Sequence, residues 1–151
     1  MAKNSNPQFS TTTLHHAVLF DTTPAELFEL YADARKHARV IGAHARLERR
    51  AGGSFSAWSG AVSGVNVVLR SPTLIVQAWR TEEFASDHYS ILHLSLAPAG
   101  RGRTQLTLRQ EGVPIECAKD IEANWHACYW EPIKQMLGDK GEKTSKRGKR
   151  S

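Results

Sequence analysis

The residues best suited to chemistry in this chain are large aromatic side chains rather than a catalytic set. Trp58, Trp79, Trp125 and Tyr129 offer broad, flat apolar surfaces of the kind that hold small apolar or aromatic molecules. The same side chains are also common in hydrophobic cores. The sequence leaves both interpretations open, and it points to binding by apolar contact rather than to bond-making chemistry.

Polar side chains are expected beside these rings. Residues 74–80 alternate with a period of two, so Gln77 and Trp79 face inward with Ile75 if the charged end of this strand points to solvent. Gln77 then either satisfies a buried neighbour such as Asn66 or orients a ligand in an apolar pocket. The predicted ligand-binding residues are Trp58, Asn66, Gln77, Trp79, Ser90, Leu92, Trp125 and Tyr129.

Catalytic and metal-binding residues are not predicted. His15 and His16 are neighbours on a strand and face opposite sides, and His126 is expected to face away from the sheet. No two histidines have the helical i, i+4 spacing that zinc hydrolases combine with a carboxylate. Glu111 is the one acidic residue expected near a mouth between the last strand and the closing helix, and its favoured interpretation is a solvated turn residue. We therefore predict no metal and no cofactor.

Length and composition predict one domain in the cytoplasm. The chain has 151 residues and is 40% hydrophobic, which is enough for a core. No apolar run approaches the roughly 20 residues that a membrane span needs, and the opening MAKNSNPQFS lacks the apolar stretch of a secretory signal. Cys117 and Cys128 form no Cys-x-x-Cys pair and fit a compartment in which thiols stay reduced.

The charge of the chain is concentrated at its end. The formal net charge is +5, and residues 138–151 contribute four of these charges through six basic and two acidic side chains, without any apolar residue. We predict a flexible N-terminal segment (1–12), a folded domain (13–138) and a disordered basic tail (139–151). The tail is expected to contact nucleic acid only weakly and without specificity. The oligomeric state, monomer or homodimer, stays open.

The predicted order of elements is one strand, two short helices, six strands and one long helix. The first strand covers residues 14–20, Thr23 and Pro24 start the first helix, and the second helix covers residues 34–40. Strands 43–50, 54–58, 61–69, 74–80, 88–97 and 104–110 follow, and residues 112–114 break the last one.

The closing helix is predicted over residues 120–137. A stripe of apolar side chains along it faces the sheet, with Trp125 at its centre. Pro132 lies inside the helix and removes one backbone hydrogen bond, so a kink is expected near Cys128. A sheet with one apolar face needs a cover, and this helix is the long one available.

Several stretches of the sequence resemble a known family. HAVLFDTTPAELFELYAD, GGSFSAWSGAVSGVNVVL, IVQAWR, EGVP and NWHACYWEPIKQML are similar to the C-terminal domain of activators of the heat-shock protein 90 ATPase, in its stand-alone bacterial form. This domain belongs to the START-related, helix-grip (SRPBCC) superfamily. The resemblance implies an α+β fold in which a curved antiparallel sheet wraps around a long C-terminal helix, with two short helices after the first strand.

Three functions are compatible with these features. The first is a START-like binding protein that holds a small apolar or aromatic molecule between sheet and helix, in which case Gln77→Leu should change ligand preference more than stability. The second is a module that binds a chaperone of the heat-shock protein 90 type. The third is a polyketide cyclase-like enzyme, for which no acid–base pair is visible in the sequence.

Overall fold

The computed structural model describes residues 10–138 of the chain. Its strands are β1 (Thr11–Phe20), β2 (Ala45–Leu47), β3 (Ser54–Ala57), β4 (Val62–Arg70), β5 (Leu74–Thr81), β6 (Ser90–Pro98) and β7 (Thr104–Pro114). The helices are α1 (Pro24–Ala32), α2 (Ala34–Ile41) and α3 (Ile115–Trp125), and α3 continues through a π-helical turn (His126–Trp130) into a last helical stretch, residues 131–138. The predicted segments 1–12 and 139–151 lie largely outside the described residues.

The seven strands form one antiparallel sheet. Their order is β1-β7-β6-β5-β4-β3-β2. Strands β2 to β7 are therefore neighbours in chain order, and β1 pairs with β7 at the other edge of the sheet. The closing helix packs across the inner face, and α1 and α2 cover the rest of it. The predicted α+β helix-grip architecture is confirmed, including the two short helices after the first strand.

Alternation along the strands decides which side chains enter the core. In β6, Ser90, Leu92, Leu94 and Leu96 are buried, while residues between them are more exposed. In β5, Ile75, Gln77 and Trp79 point inward as the period of two predicts. The edge position of the short strand β2 also follows the sequence prediction, because this segment is charged and poorly suited to a central strand.

Several boundaries differ from the prediction. Thr11 and Thr12 were expected in the flexible segment but pair with Pro114 and Val113 of β7, so β1 begins three residues earlier. β7 in turn continues through Gly112, which was expected to break it. Gly112 has a φ of 78° and lies where the β1–β7 register shifts, so it forms a bulge that keeps the two strands paired.

Gly64 shows why a glycine stands in the middle of β4. It pairs with Trp79, and a Cβ atom at this position would lie 1.8 Å from the carbonyl oxygen of Ala78 and 2.8 Å from the ring of Phe55. No side chain fits there without moving the neighbouring strand. The glycine therefore allows the close backbone approach that a curved sheet needs at this point.

The closing helix starts five residues before the predicted position, at Ile115. The irregularity expected near Cys128 is present as the π-helical turn, in which the Glu131 N–H donates to the carbonyl of His126. Pro132 follows directly and has no N–H to give to the preceding turn. Trp125, Tyr129 and Ile133 are buried on the stripe that the sequence predicts, with Trp125 only 2% exposed.

Candidate functional site

A cavity of about 420 Å³ lies between the end of β5 and the closing helix. One wall comes from the helix, and the other comes from β4, β5 and the segments that follow β3 and β5. The lining residues are Trp58, Ala61, Val62, Trp79, Thr81, Glu82, Glu83, Ile121, Asn124, Trp125, Cys128 and Tyr129. Four of the eight predicted ligand-binding residues, the four aromatic ones, are in this lining.

The other four predicted residues are absent from the cavity lining. Asn66, Gln77, Ser90 and Leu92 are fully buried in the described structure, with no solvent-exposed area. Leu92 packs in the apolar core on β6. The three polar residues are held by hydrogen bonds to other buried groups, so their role in this structure is to satisfy the core.

Gln77 is the centre of the first of these hydrogen-bond networks. The Tyr31 hydroxyl donates to Gln77 Oε1 at 2.9 Å, and Gln77 Nε2 donates to Asn66 Oδ1 at 2.9 Å. Asn66 Nδ2 donates in turn to the backbone carbonyl of Glu48 at 2.8 Å. The structure thus favours the first of the two roles considered for Gln77, in which it satisfies Asn66.

Ser90 belongs to a second network that the sequence interpretation missed. Trp125 Nε1 donates to Gln110 Oε1 at 2.9 Å, and Gln110 Nε2 donates to Ser90 Oγ at 2.9 Å. Ser90 Oγ donates to the backbone carbonyl of Trp79 at 2.9 Å. Gln110 could have been found from its spacing of two from Leu108, which places it on the inner face of β7. This network fixes the ring of Trp125, one wall of the cavity.

Tyr129 is fixed by a histidine on α2. His37 Nδ1 donates to the Tyr31 carbonyl at 2.8 Å, so His37 Nε2 is left to accept the Tyr129 hydroxyl at 2.7 Å. Burial lowers the pKa of His37 and raises the pKa of Tyr129 well above its usual value, so both side chains are neutral. His37 was not a predicted site residue, because its partner lies 92 positions away in the chain.

Trp58 stands at the cavity on a strained turn. The sequence places it at the end of a strand, but it begins the 3₁₀ turn Trp58–Gly60 with a φ of 52°, and Ser59 follows with a φ of 55°. Two consecutive non-glycine residues in the left-handed region are costly, and such strain concentrates at functional sites. The Trp58 ring meets Tyr129 edge-on at 6.1 Å between centroids.

A second group of polar side chains lies at the opposite side of the helix. His16, Glu122 and His126 bring their ligating atoms within 4.8 Å of one another, and the His126 ring lies 4.7 Å from that of His16 rather than away from the sheet. However, Trp130 Nε1 donates to His16 Nδ1 at 3.0 Å. An indole N–H can only donate, so the neutral His16 carries its proton on Nε2 and donates it to Glu122. This arrangement fits a histidine–carboxylate bond rather than metal ligation.

Glu111 does not reach the cavity. It pairs with Arg109 at 2.5 Å and lies 3.9 Å from His93, and these three residues follow the outer face of the sheet. Cys117 is free and buried, and Cys128 is free and half-buried in the cavity wall. Burial raises the pKa of both thiols, which makes them poor nucleophiles. None of the helices within residues 10–138 has the length and hydropathy needed to cross a lipid bilayer.

Comparison with known proteins gives consistent matches over most of the described chain. A family model described as "Activator of Hsp90 ATPase homolog 1-like protein" matches residues 21–138. Among curated proteins, the activator of 90 kDa heat shock protein ATPase homolog 2 of Mus musculus is 32% identical over 127 residues, which are 84% of this chain and 38% of the mouse protein. The chain therefore spans little more than a third of the length of this relative.

Solved structures match in fold. The crystal structure of a heat-shock protein 90 activator from Plasmodium falciparum has a TM-score of 0.80 at 22% identity, covering 83% of this chain and 96% of the other. CalU16 from Micromonospora echinospora has a TM-score of 0.73 at 17% identity, covering 91% of this chain and 83% of the other. At these identities, the structures establish a shared fold.

Proposed function

This chain belongs to the family of activator of Hsp90 ATPase homolog 1-like proteins, and we propose that it uses the family's helix-grip fold to bind a small apolar or aromatic molecule. The observation that carries this proposal is the cavity of about 420 Å³ with Trp58, Trp79, Trp125 and Tyr129 in its walls. Its volume falls within the range of about 300–1,000 Å³ that is typical of small-molecule sites.

The walls are held in place before any ligand arrives. The Trp125 ring is fixed through Gln110, and the Tyr129 ring is fixed through His37. Trp79 is 6% exposed and adds a third ring to these walls. Prearranged walls lower the ordering cost of binding.

The test compares two aromatic residues, one at the cavity and one away from it. An apolar aromatic probe should bind the wild type with micromolar affinity, about −8 kcal/mol, and quench tryptophan fluorescence. Trp58→Ala should weaken binding at least about fivefold, or about 1 kcal/mol, while Tyr89→Ala removes an exposed ring that is not in the lining and should leave affinity unchanged.

Native mass spectrometry of protein purified from its host would show whether a molecule copurifies. The proposal fails if neither a copurified molecule nor probe binding at high micromolar concentration is found.

A second candidate function is association with a heat-shock protein 90 type chaperone. The family match favours it, and so do the names of the curated relatives. A surface suited to protein contact exists on the outer face of the sheet, where Val65 and Ile91 flank Ala78 across neighbouring strands and are 39% and 38% exposed. Val65→Ser with Ile91→Ser should weaken capture of the host's 90 kDa chaperone and any rise in its ATPase rate, while Trp58→Ala should change neither. Equal capture by both variants would count against this surface.

A cytoplasmic location is part of the proposal. It is supported by the two free cysteines, which fit a reducing compartment. Fractionation of the host with an antibody against this chain would test it.

A further inference from the structure

The cavity has charge of one sign at its edge. Glu82 and Glu83 follow β5 directly and are the charged members of the lining, which contains no lysine, arginine or histidine among the described residues. Backbone hydrogen bonds hold both positions: the Glu82 N–H donates to the Ala61 carbonyl at 2.9 Å, and the Glu83 N–H donates to Thr81 Oγ1 at 3.2 Å. The two carboxylates are thus attached to a fixed segment at the cavity.

Within the part of the chain that the structure describes, these two exposed carboxylates have no cationic partner. Within residues 10–138, neither Glu82 nor Glu83 forms an ion pair or a side-chain hydrogen bond through its carboxylate. Arg80 is the nearest arginine along the chain, but its guanidinium donates to the backbone carbonyls of His88 and Phe84 at 3.3 and 3.1 Å. These acceptors are neutral, so the charge of Arg80 remains, and the segment after β5 carries two carboxylates in the cavity lining against one guanidinium that is bound to the following loop.

The surrounding charge is mainly of the same sign. A neighbouring cleft of about 420 Å³ shares Glu83 and adds Asp87, Glu116 and His88 to its lining, and Arg80 donates to three backbone carbonyls of that lining. Burial raises the pKa of the Cys117 thiol, and the carboxylates of Glu116, Glu83 and Asp120 raise it further. The cavity therefore opens into a region of negative potential, which attracts cations and repels anions.

The aromatic walls favour the same kind of ligand. The faces of indole and phenol rings carry negative charge density and attract an ammonium group placed over them within about 6 Å. Trp58, Trp125 and Tyr129 line the same cavity as the two carboxylates, and the ring centroids of Trp125 and Tyr129 lie 4.8 Å apart. An apolar body and a positive charge would both be satisfied here.

We propose that the molecule bound in this cavity is a cationic amine with an aromatic or alicyclic body, whose ammonium group lies at Glu82 and Glu83 while its rings contact Trp58, Trp125 and Tyr129. This inference rests on the proposed ligand-binding function and specifies the class of ligand. An anionic aromatic acid of the same shape would be disfavoured by the two carboxylates.

Three probes with one ring system separate charge from shape. Calorimetric titration with 1-naphthylmethylamine, 1-naphthalenemethanol and 1-naphthoate compares a cation, a neutral molecule and an anion. At low salt, the amine should bind about tenfold more tightly than the alcohol, and the acid should bind most weakly. The difference between amine and alcohol should shrink at about 0.5 M salt, because screening by ions is strong at that concentration.

Charge-removing variants locate the effect. Glu82→Gln with Glu83→Gln should bring the affinity of the amine down to that of the alcohol without changing the alcohol. The matched control is Asp21→Asn with Glu111→Gln, which removes two carboxylates that pair with Arg103 and Arg109 outside the cavity lining. The control should preserve the preference for the amine.

The possible results separate this inference from the function on which it rests. Equal binding of amine and alcohol, or an amine preference that survives in the Glu82 and Glu83 variant, would overturn the cationic ligand and leave the apolar binding function standing. Failure of all three probes to bind at high micromolar concentration would overturn both.

Discussion

Leucine at position 77 should destabilise the protein strongly although it hardly changes side-chain volume. Gln77 accepts from the Tyr31 hydroxyl and donates to Asn66 Oδ1, both at 2.9 Å, and it has no exposed area. Leucine can do neither, so a buried hydroxyl and a buried amide oxygen lose their partners. Each such loss costs about 1–3 kcal/mol, and Gln77→Leu should therefore lower the free energy of unfolding by about 2–6 kcal/mol. The sequence interpretation expected mainly a change in ligand preference, because it did not include Tyr31.

Urea denaturation followed by tryptophan fluorescence measures this cost directly. With a denaturant slope of about 2 kcal/mol/M, the midpoint should fall by about 1–3 M. A second variant, Tyr31→Phe with Gln77→Leu, removes the stranded hydroxyl as well. It should be more stable than the sum of the two single changes predicts, by about 1 kcal/mol or more, because two groups in contact couple.

Two results would contradict the predicted loss of stability. A Gln77→Leu midpoint equal to that of the wild type would show that Gln77 is not bonded to both partners. Strict additivity with Tyr31→Phe would show that the hydroxyl finds its partner elsewhere. Gln77 is absent from the cavity lining, so Gln77→Leu should leave the ligand affinity per folded molecule unchanged. Trp58→Ala, which should weaken binding, is the control that shows the assay responds to a change in the cavity.

Substitutions at three core positions give further predictions. Trp125→Ala should cost about 3–5 kcal/mol and Trp125→Phe about 1–3 kcal/mol, because both leave Gln110 Oε1 unpaired; urea midpoints that match the wild type would contradict this. His37 is buried and neutral with a lowered pKa, whereas its unfolded pKa is near 6.5, so stability is retained above about pH 6.5 and falls below it by up to about 1.4 kcal/mol per pH unit. His37→Gln should flatten this part of the melting temperature profile between pH 7.5 and 5.5, and an unaltered slope would refute the assignment. Gly64→Ala forces a Cβ to 1.8 Å from the Ala78 carbonyl oxygen and should cost about 1–3 kcal/mol or more in thermal melts, while Gly138→Ala, which meets no atom within 4 Å, should be neutral.

The inward faces of the strands could be predicted from the sequence because they depend on a local rule. The alternation in β5 and β6 gave Gln77, Trp79, Ser90 and Leu92 their buried positions, and Pro132 indicated where the closing helix loses its regular pattern. The family resemblance supplied the architecture. What a period of two cannot show is which buried polar group meets which, since that requires the register between sheet and helices.

Because the pairing of buried groups could not be predicted, the location of the cavity could not be predicted either. The sequence interpretation grouped all inward residues near the helix into one ligand site, but Tyr31 from α1 and Gln110 from β7 fill the interior and bond to Gln77 and Ser90. The open space is therefore displaced to the end of β5. His37 and Tyr129, which are 92 positions apart, meet only because α2 packs on the closing helix, and no local pattern contains that contact.

The π-helical turn has a consequence for how the length of this chain can vary. Ile121, Trp125, Tyr129, Ile133 and Leu137 are spaced by four, and on a regular α-helix such a series would rotate by about 40° at each step and leave the sheet after two or three steps. The turn at His126–Trp130 holds one additional residue and compensates for this drift, so the series stays on the covered side. Loss of a single exposed residue such as Ala127 would return the segment to a regular α-helix and keep the same five residues within about 80° of one another. Insertion or deletion of one residue, a change that proteins usually tolerate only in loops, can therefore be accommodated inside the main helix of this fold.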